Sequence, residues 1–302
     1  MLTNEISVPV LRDIECVTLE CYRPIVLIIQ GIMASGKSVA SAWLCAGSPS
    51  QPTQEYVTLK DQNPDFPPLH VRVKMGGEDS RFWYVQEETP DLDEYYRALE
   101  RFKNGIDRVP DPCIAEFQIS MMDLRGRQAD SDIPQLIEQG LCPGLDGCPF
   151  GDYVYAKNLI NKRAIQGDLL RKYNSLCEHV FDAWYKMVDK LKIDMVFAYL
   201  LAEDPENWPL SEATEMTAKV ASERILKRGR GAESGIPLDH LLTLNALQNE
   251  MFGINHTCNS DYIFTVNTGT GSEIVPEKEV LLVQDIVRGV AGILPYANYQ
   301  SY

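Results

Sequence analysis

The chain has 302 residues, 45% hydrophobic and 24% charged, a composition that supports a packed core and argues against a disordered or fibrous protein. Its 43 acidic and 28 basic residues leave a formal charge of −15, which argues against nucleic acid or an anionic membrane as a partner and makes any local basic cluster conspicuous. The longest apolar runs, residues 25–29 and 195–202, fall well short of the roughly 20 needed to cross a bilayer. The N-terminal stretch carries Glu5, Asp13, Glu15 and Glu20, unlike an Arg-rich transit peptide, and lacks a continuous apolar signal core, so a cytoplasmic location is expected. Eight scattered cysteines without a CxxC pair read as reduced thiols; Cys142 and Cys148 bracket Pro-Gly-Leu-Asp-Gly, at best a remote zinc half-site.

In chain order, Ile25–Gln30 has the continuous apolar pattern of a buried parallel strand. Prolines 49, 52, 64, 67 and 68 surround the alternating stretch 69–74, which reads as a surface loop or excursion hairpin. Further strands are expected at 82–86, 135–137, 195–201 and 262–266, with residues 140–151, rich in glycine and proline, as an inserted loop. The clearest helix runs over 168–192, where Leu169, Tyr173, Leu176, Val180, Trp184, Met187 and Leu191 share one face. This alternation predicts an α/β fold: a doubly wound, five-stranded parallel sheet with helices on both faces. With no repeat or linker, residues 1–302 are expected to form a single domain. Its parts would be an N-terminal extension at 1–23, a core at 24–250 with a lid near 224–235, and a C-terminal strand and helix at 251–302.

The first strand runs into Gly31-Ile-Met-Ala-Ser-Gly-Lys-Ser38, a full GxxxxGK[ST] match followed by the apolar Val39, Ala40, Trp43 and Leu44. In this phosphate loop Gly31, Ser35 and Gly36 let backbone N–H groups turn toward phosphate oxygens. Lys37 reaches the terminal phosphates, and Ser38 can ligate Mg²⁺ at a helix N-terminus. ATP and Mg²⁺ are the ligands so implied. The motif leaves the phosphate acceptor open.

Against the acidic background, Lys219, Arg224, Lys227, Arg228 and Arg230 lie close together, with Gly229, Gly231 and Gly235 beyond them. Spacing alone fits either a solvated helix end or a mobile lid closing on a phosphoryl group. The wider string from Glu223 to Leu241 matches RxxxRxRxxExxIxL and resembles the lid of the deoxynucleoside kinase family. The phosphate loop, Tyr153-Val-Tyr-Ala-Lys-Asn-Leu159 and Glu178-His-Val-Phe-Asp-Ala-Trp184 fall in the same order as that family's features.

The resemblance implies roles for particular residues. Phe117-Gln118 looks like the family's base-reading pair and is followed by Arg125, while Tyr96, beside Tyr95, and Glu233 match positions that hold a sugar 3′-hydroxyl. A glutamine amide has the donor and acceptor to pair with a base edge, although Phe117, Ile119 and Met122 equally describe a helix core face with Gln118 in solvent. The family's catalytic carboxylate ends the second strand before a proline. Here Val85-Gln-Glu-Glu-Thr-Pro90 offers Glu88 as general base, with Glu87 as runner-up, unless both belong to a solvated turn. The family's Glu-Arg-Ser reads Glu138-Gln139-Gly140 in one alignment, with Glu138 as a second Mg²⁺ ligand and no arginine. Arg125 or Arg127 is the expected spatial substitute for that arginine, and an alternative alignment through Asp146-Gly147 removes the motif altogether. Asp152, with Gly151 competing for the place, is the expected base-discriminating acid.

The resulting expectation is an ATP-dependent, Mg²⁺-assisted kinase acting on the 5′-hydroxyl of a deoxynucleoside. Lys37, Arg224, Arg228 and Arg230 would neutralise phosphoryl charge, and Glu88 would activate the nucleophile. Its partner is a small-molecule nucleoside, with neither nucleic acid nor membrane involved and a homodimer allowed. A nucleoside monophosphate kinase and a non-catalytic relative of the family are the alternatives.

Overall fold

The computed structural model describes residues 24–37, 40, 53–59, 69–75, 82–84, 92–104, 111–202, 210–229, 233, 236–253, 262–269, 282, 285–286 and 289–290; for 53–59, 69–75 and 82–84 it describes the backbone alone. Strand β1 (Ile25–Gln30) is buried at all six positions, as its apolar run requires of a strand covered on both faces. Three further strands precede a long helical stretch: β2 (Thr53–Leu59), β3 (Leu69–Met75) and β4 (Phe82–Tyr84). Helices α1 (Leu92–Lys103), α2 (Pro112–Arg127) and α3 (Ile133–Glu138) lead to β5 (Cys142–Asp146). The chain continues with α4 (Pro149–Asn161), α5 (Gly167–Leu191), β6 (Asp194–Leu201), α6 (Leu210–Arg228), α7 (Leu238–Phe252) and β7 (Ile263–Asn267).

The main sheet has the order β4-β5-β1-β6-β7, with every pairing parallel. The expected excursion around 69–74 is an antiparallel ribbon of β2 and β3, a separate sheet in register from Thr53↔Met75 to Leu59↔Leu69. From β1 the chain crosses first to the edge strand β4, returns to β5 beside β1, and only then passes to β6 and β7 on the other side. The strand order therefore reverses at β1, which places a crevice at its C-terminal end.

Helices cover the sheet through two apolar clusters. In one, Val26 and Ile28 of β1 meet Met122 of α2 and Val180 and Trp184 of α5. In the other, Ile32 and Ala34 at the end of β1 meet Leu99 of α1, Leu159 of α4, Ile225 of α6 and Leu244 of α7. Helix α5 buries Tyr173, Val180, Trp184 and Met187 of the expected stripe together with Cys177, while Leu169, Leu176 and Leu191 pack half-buried against the same core. Lys192 closes it in a left-handed conformation (φ 52°), its N–H donating to Val188 O. The indole Nε1 of Trp184 donates to Arg125 O at 2.8 Å and so joins α5 to α2.

One expected strand is corrected. Residues 135–137 lie in α3, directly after a π-helical turn at Gln128–Asp132, while the strand lies at Cys142–Asp146, inside the segment expected to be a loop. The helix follows from Ile133, Leu136 and Ile137, spaced i, i+3, i+4, which turn toward the core while Gln135 and Glu138 stay exposed. The strand forms despite Pro143 and Gly144 because β4 and β1 flank it on either side, pairing Trp83↔Pro143 and Leu27↔Gly144. Among the described residues no helix is long and apolar enough to cross a membrane.

Helices α4 and α7 meet through a buried hydrogen bond between Asn158 Nδ2 and His240 Nδ1 at 3.1 Å. Burial, with the nearby Lys103 and Lys162 ammonium groups, pushes the His240 pKa down to about 3. In the unfolded chain the imidazole takes a proton at its ordinary value near 6.5, whereas in the fold it stays neutral until about pH 3. Folding stability is therefore lost as pH falls from about 6.5 toward 3. Urea midpoints measured at pH 7.5 and 4.5 should drop in the wild type. In His240→Gln, which keeps a polar partner for Asn158 but does not titrate, the drop should be smaller.

Candidate active site

The phosphate-loop sequence forms a turn at the C-terminal end of β1. Gly31 has φ +154°, and a Cβ there would lie 2.6 Å from Ser35 Oγ and 3.2 Å from both Leu200 Cβ and Leu200 O. Only glycine allows the loop to sit this close to β6. Ala34 is left-handed (φ 61°), and Ser35 N–H donates to Ile32 O at 3.2 Å. The following helix is under way by Ala40, whose N–H donates to Gly36 O. Lys37 folds over the loop, Nζ donating to Gly31 O at 3.0 Å and Ile32 O at 3.2 Å. Ser35 Oγ is buried and has no hydrogen-bond partner among the described residues. A cation held above a tight turn at a helix N-terminus is an arrangement that binds anions. Ser38 lies outside the described residues.

A second group of residues gathers at the end of β5. Asp146 pairs with Ile29, and Gly147 N–H donates to Ile29 O at 3.1 Å, so the Asp146-Gly147 turn adjoins the strand that carries the phosphate loop. The Arg125 guanidinium is almost wholly buried beside this turn. Its Nε donates to Asp152 Oδ2 at 2.6 Å, Nη1 to Gln128 Oε1 at 3.1 Å and Nη2 to Asp146 O at 3.2 Å. Gly147 has φ +94°, and a Cβ there would lie 2.8 Å from Arg125 Nη2. Gly151, the competitor of Asp152, lies instead against the Gln30 amide, where an added Cβ would lie 2.6 Å from its Oε1.

Glu138, read from sequence as a second metal ligand, is not brought to these residues. Glu138 is exposed at the end of α3, before β5 begins, and so lies toward the opposite edge of the parallel sheet from the phosphate loop. The carboxylate that ends the strand is Asp146, and the residue after it is Gly147, not Gln139. Arg127, the other arginine considered as a stand-in, is exposed and pairs with Asp123 along its own helix. Among the described residues no three His, Cys, Asp or Glu side chains cluster as a metal site.

The remaining candidates are distributed around these two groups. Gln118 is buried on α2 and hydrogen-bonded to Tyr95. Burial raises the Tyr95 phenol well above its usual range, so it stays protonated, and its ring stacks on Phe117 with centroids 4.1 Å apart. Tyr96 reaches the phosphate loop, its hydroxyl 3.8 Å from Met33 Sδ. Glu233 is buried beyond α6, its carbonyl accepting from Ile236 N–H.

Arg224 is also buried rather than presented on a lid surface. Nη1 donates to Ala34 O, Ser35 O and Thr268 Oγ1, each at 3.4 Å, and Nη2 to Thr268 O at 3.1 Å and Gly269 O at 3.0 Å. Burial lowers its pKa from the ordinary value. The side chain of Arg228, and Arg230, Glu87 and Glu88 entirely, lie outside the described residues. Sequence reasoning missed Gln128 and the Thr268-Gly269 turn. The i, i+3 spacing of Arg125 and Gln128 was the one signal available for the former.

No protein-family profile matches the chain, and no curated protein matches its sequence. Among solved structures it is similar to deoxyadenosine kinase from M. mycoides with bound dCTP, at 19% identity and a TM-score of 0.48, over 87% of this chain and 98% of that one. The same kinase with bound dATP gives 18% identity and a TM-score of 0.48, over 87% and 99% of the two chains. With the products dCMP and a flexible dCDP bound, the values are 17% and 0.47, over 88% and 100%.

Gly147→Ala should both strain the left-handed backbone and push the Arg125 guanidinium off Asp146. Gly140, also left-handed (φ 74°) but with nothing within 4 Å of an added Cβ, isolates the strain alone. In urea unfolding Gly140→Ala should lose about 1–2 kcal/mol, and Gly147→Ala clearly more.

Proposed function

We propose that the chain is an ATP-dependent kinase that transfers the γ-phosphoryl group to the 5′-hydroxyl of a deoxynucleoside. The observation carrying this reading is the meeting of two unlike half-sites at the ends of adjacent strands. A phosphate loop ends β1, and a buried Arg125–Asp152 pair stands at the end of β5 with Asp146 between them. The first suits a triphosphate, and the second offers charged donors and acceptors to a planar polar group such as a nucleobase edge.

In this reading the N–H groups of residues 31–38 and the Lys37 ammonium hold the nucleotide phosphates. Lys37 leaves its resting contacts on Gly31 O and Ile32 O to do so. Arg228 and Arg230 supply further positive charge from the lid. The strand-end Asp146 carboxylate and the Ser38 hydroxyl are hard oxygen donors that fit Mg²⁺, which when bound neutralises phosphate charge. Gln118, Arg125 and Asp152 orient the base, and Tyr96 and Glu233 hold the 3′-hydroxyl. Glu88 accepts the proton of the 5′-hydroxyl as its oxygen attacks the terminal phosphorus and the nucleoside diphosphate leaves.

Gly147 favours a second reading, a non-catalytic relative that binds nucleotide. It stands where the family resemblance puts an arginine, and the loss of one such charged contact commonly lowers rates by about 10²- to 10³-fold. A screen of ATP consumption against the common deoxynucleosides and their monophosphates separates the cases. Turnover with a deoxynucleoside supports the kinase, turnover only with monophosphates moves the acceptor one phosphate along, and ATP binding without any turnover gives the second reading.

Lys37→Met should abolish turnover while leaving the thermal melt near that of the wild type, since Lys37 contributes little to the core. Glu88→Gln should keep nucleotide affinity, measured by calorimetry, and lower single-turnover transfer by about 10²- to 10⁴-fold. Unchanged transfer in Glu88→Gln with collapse in Glu87→Gln would move the base by one residue.

A further inference from the structure

Arg224 begins the arginine series of the lid string, yet its guanidinium lies inside the protein against two other pieces of chain. It belongs to α6, faces the carbonyl oxygens of Ala34 and Ser35 in the phosphate loop, and faces the carbonyl oxygens of Thr268 and Gly269 and the Thr268 hydroxyl just beyond β7. Neighbouring α6 residues Ala221 and Ile225 pack into the cluster that holds Ile32 and Ala34, so the helix is anchored where the guanidinium acts.

We infer that Arg224 is a positioning residue that sets the phosphate loop for nucleotide, acting on the loop's carbonyls and not on a phosphate. A peptide unit is planar and trans, so its C=O and N–H point in opposite directions. Drawing Ser35 O toward Arg224 therefore turns the Gly36 N–H away from it. Drawing Ala34 O the same way supports the left-handed Ala34 (φ 61°), a conformation an L-residue holds only at a cost. The contacts on Thr268 and Gly269 tie the loop to the end of β7, so loop, lid helix and β7 are set together.

The inference rests on the proposed nucleotide site and deepens it. The test is calorimetry of ADP and ATP binding to the full chain as wild type, Arg224→Ala and Arg224→Lys, with steady-state kinetics in parallel. Removing charged hydrogen bonds to the loop should weaken ADP and ATP alike in Arg224→Ala, by about 10- to 100-fold. The nucleotide KM should rise and the acceptor KM stay put. Low-millimolar guanidinium should restore part of the affinity by refilling the vacated space, and Arg224→Lys should lie between Arg224→Ala and wild type.

A loss confined to ATP would assign Arg224 to the terminal phosphate and overturn the inference, as would wild-type affinity in either variant. If Arg224→Ala does not fold, Arg224→Lys decides: equal, intermediate weakening of both nucleotides supports the positioning role, and unchanged or ATP-only effects overturn it. A wild type that binds neither nucleotide overturns both this inference and the kinase reading. A wild type that binds them but phosphorylates no acceptor overturns the kinase reading alone.

Discussion

Strand β1 is paired along both edges and buried on both faces, and the site depends on that position. Its register with β5 sets Ile29 opposite Asp146, and its register with β6 sets Gln30 opposite Tyr199. Three strand ends therefore finish at nearly the same level, and whatever follows them shares one crevice. Gly31 is the point where this arrangement is tightest, since the loop leaves β1 against Leu200 of β6 with no room for a side chain. A change in the β1–β6 register would lift the phosphate loop off its support and separate Asp146 from it.

Two guanidinium groups are buried around this crevice, Arg125 held mainly by side-chain oxygen and Arg224 mainly by backbone oxygen. Arg125 has one carboxylate partner, Asp152, along with Gln128 and Asp146 O, while Arg224 faces carbonyls of the phosphate loop and of the turn after β7. Burying a cation is costly, and the cost is offset only when many oriented acceptors surround it. The chain as a whole is strongly acidic, so these groups concentrate positive charge in the crevice while the rest of the molecule carries the opposite sign.

The sequence was most legible where local pattern and tertiary environment agree. The unbroken apolar run of β1 and the seven-residue stripe of α5 each identified the right element. The third central strand was hidden because Cys-Pro-Gly-Leu-Asp has turn chemistry in isolation. Its extended form comes from β1 and β4 on either side, which no local window contains. The apolar Leu136 and Ile137 then attracted the strand assignment and carried Glu138 with them. For the candidate site, the resemblance singled out Arg125 and Asp152 separately, and their ion pair, which joins α2 to α4 across 27 residues, is a tertiary contact that no spacing announced. The burial of Arg224 was not legible, because four-residue spacing shows which side chains share a face but not whether that face looks outward.

Gly147 and Arg125 occupy what is in effect a single volume. The guanidinium fills the space a side chain at 147 would need, and the glycine's freedom from a Cβ is what lets the guanidinium reach Asp146 O. The effect of a substitution at either position should therefore depend on the residue at the other. A side chain at 147 clashes with the guanidinium while Arg125 is present; shortening residue 125 removes that clash but leaves the strain of the left-handed backbone. This is epistasis of magnitude with a steric origin, and the backbone strain at 147 together with the guanidinium beside it sets the present combination apart from any alternative that places an arginine directly after Asp146.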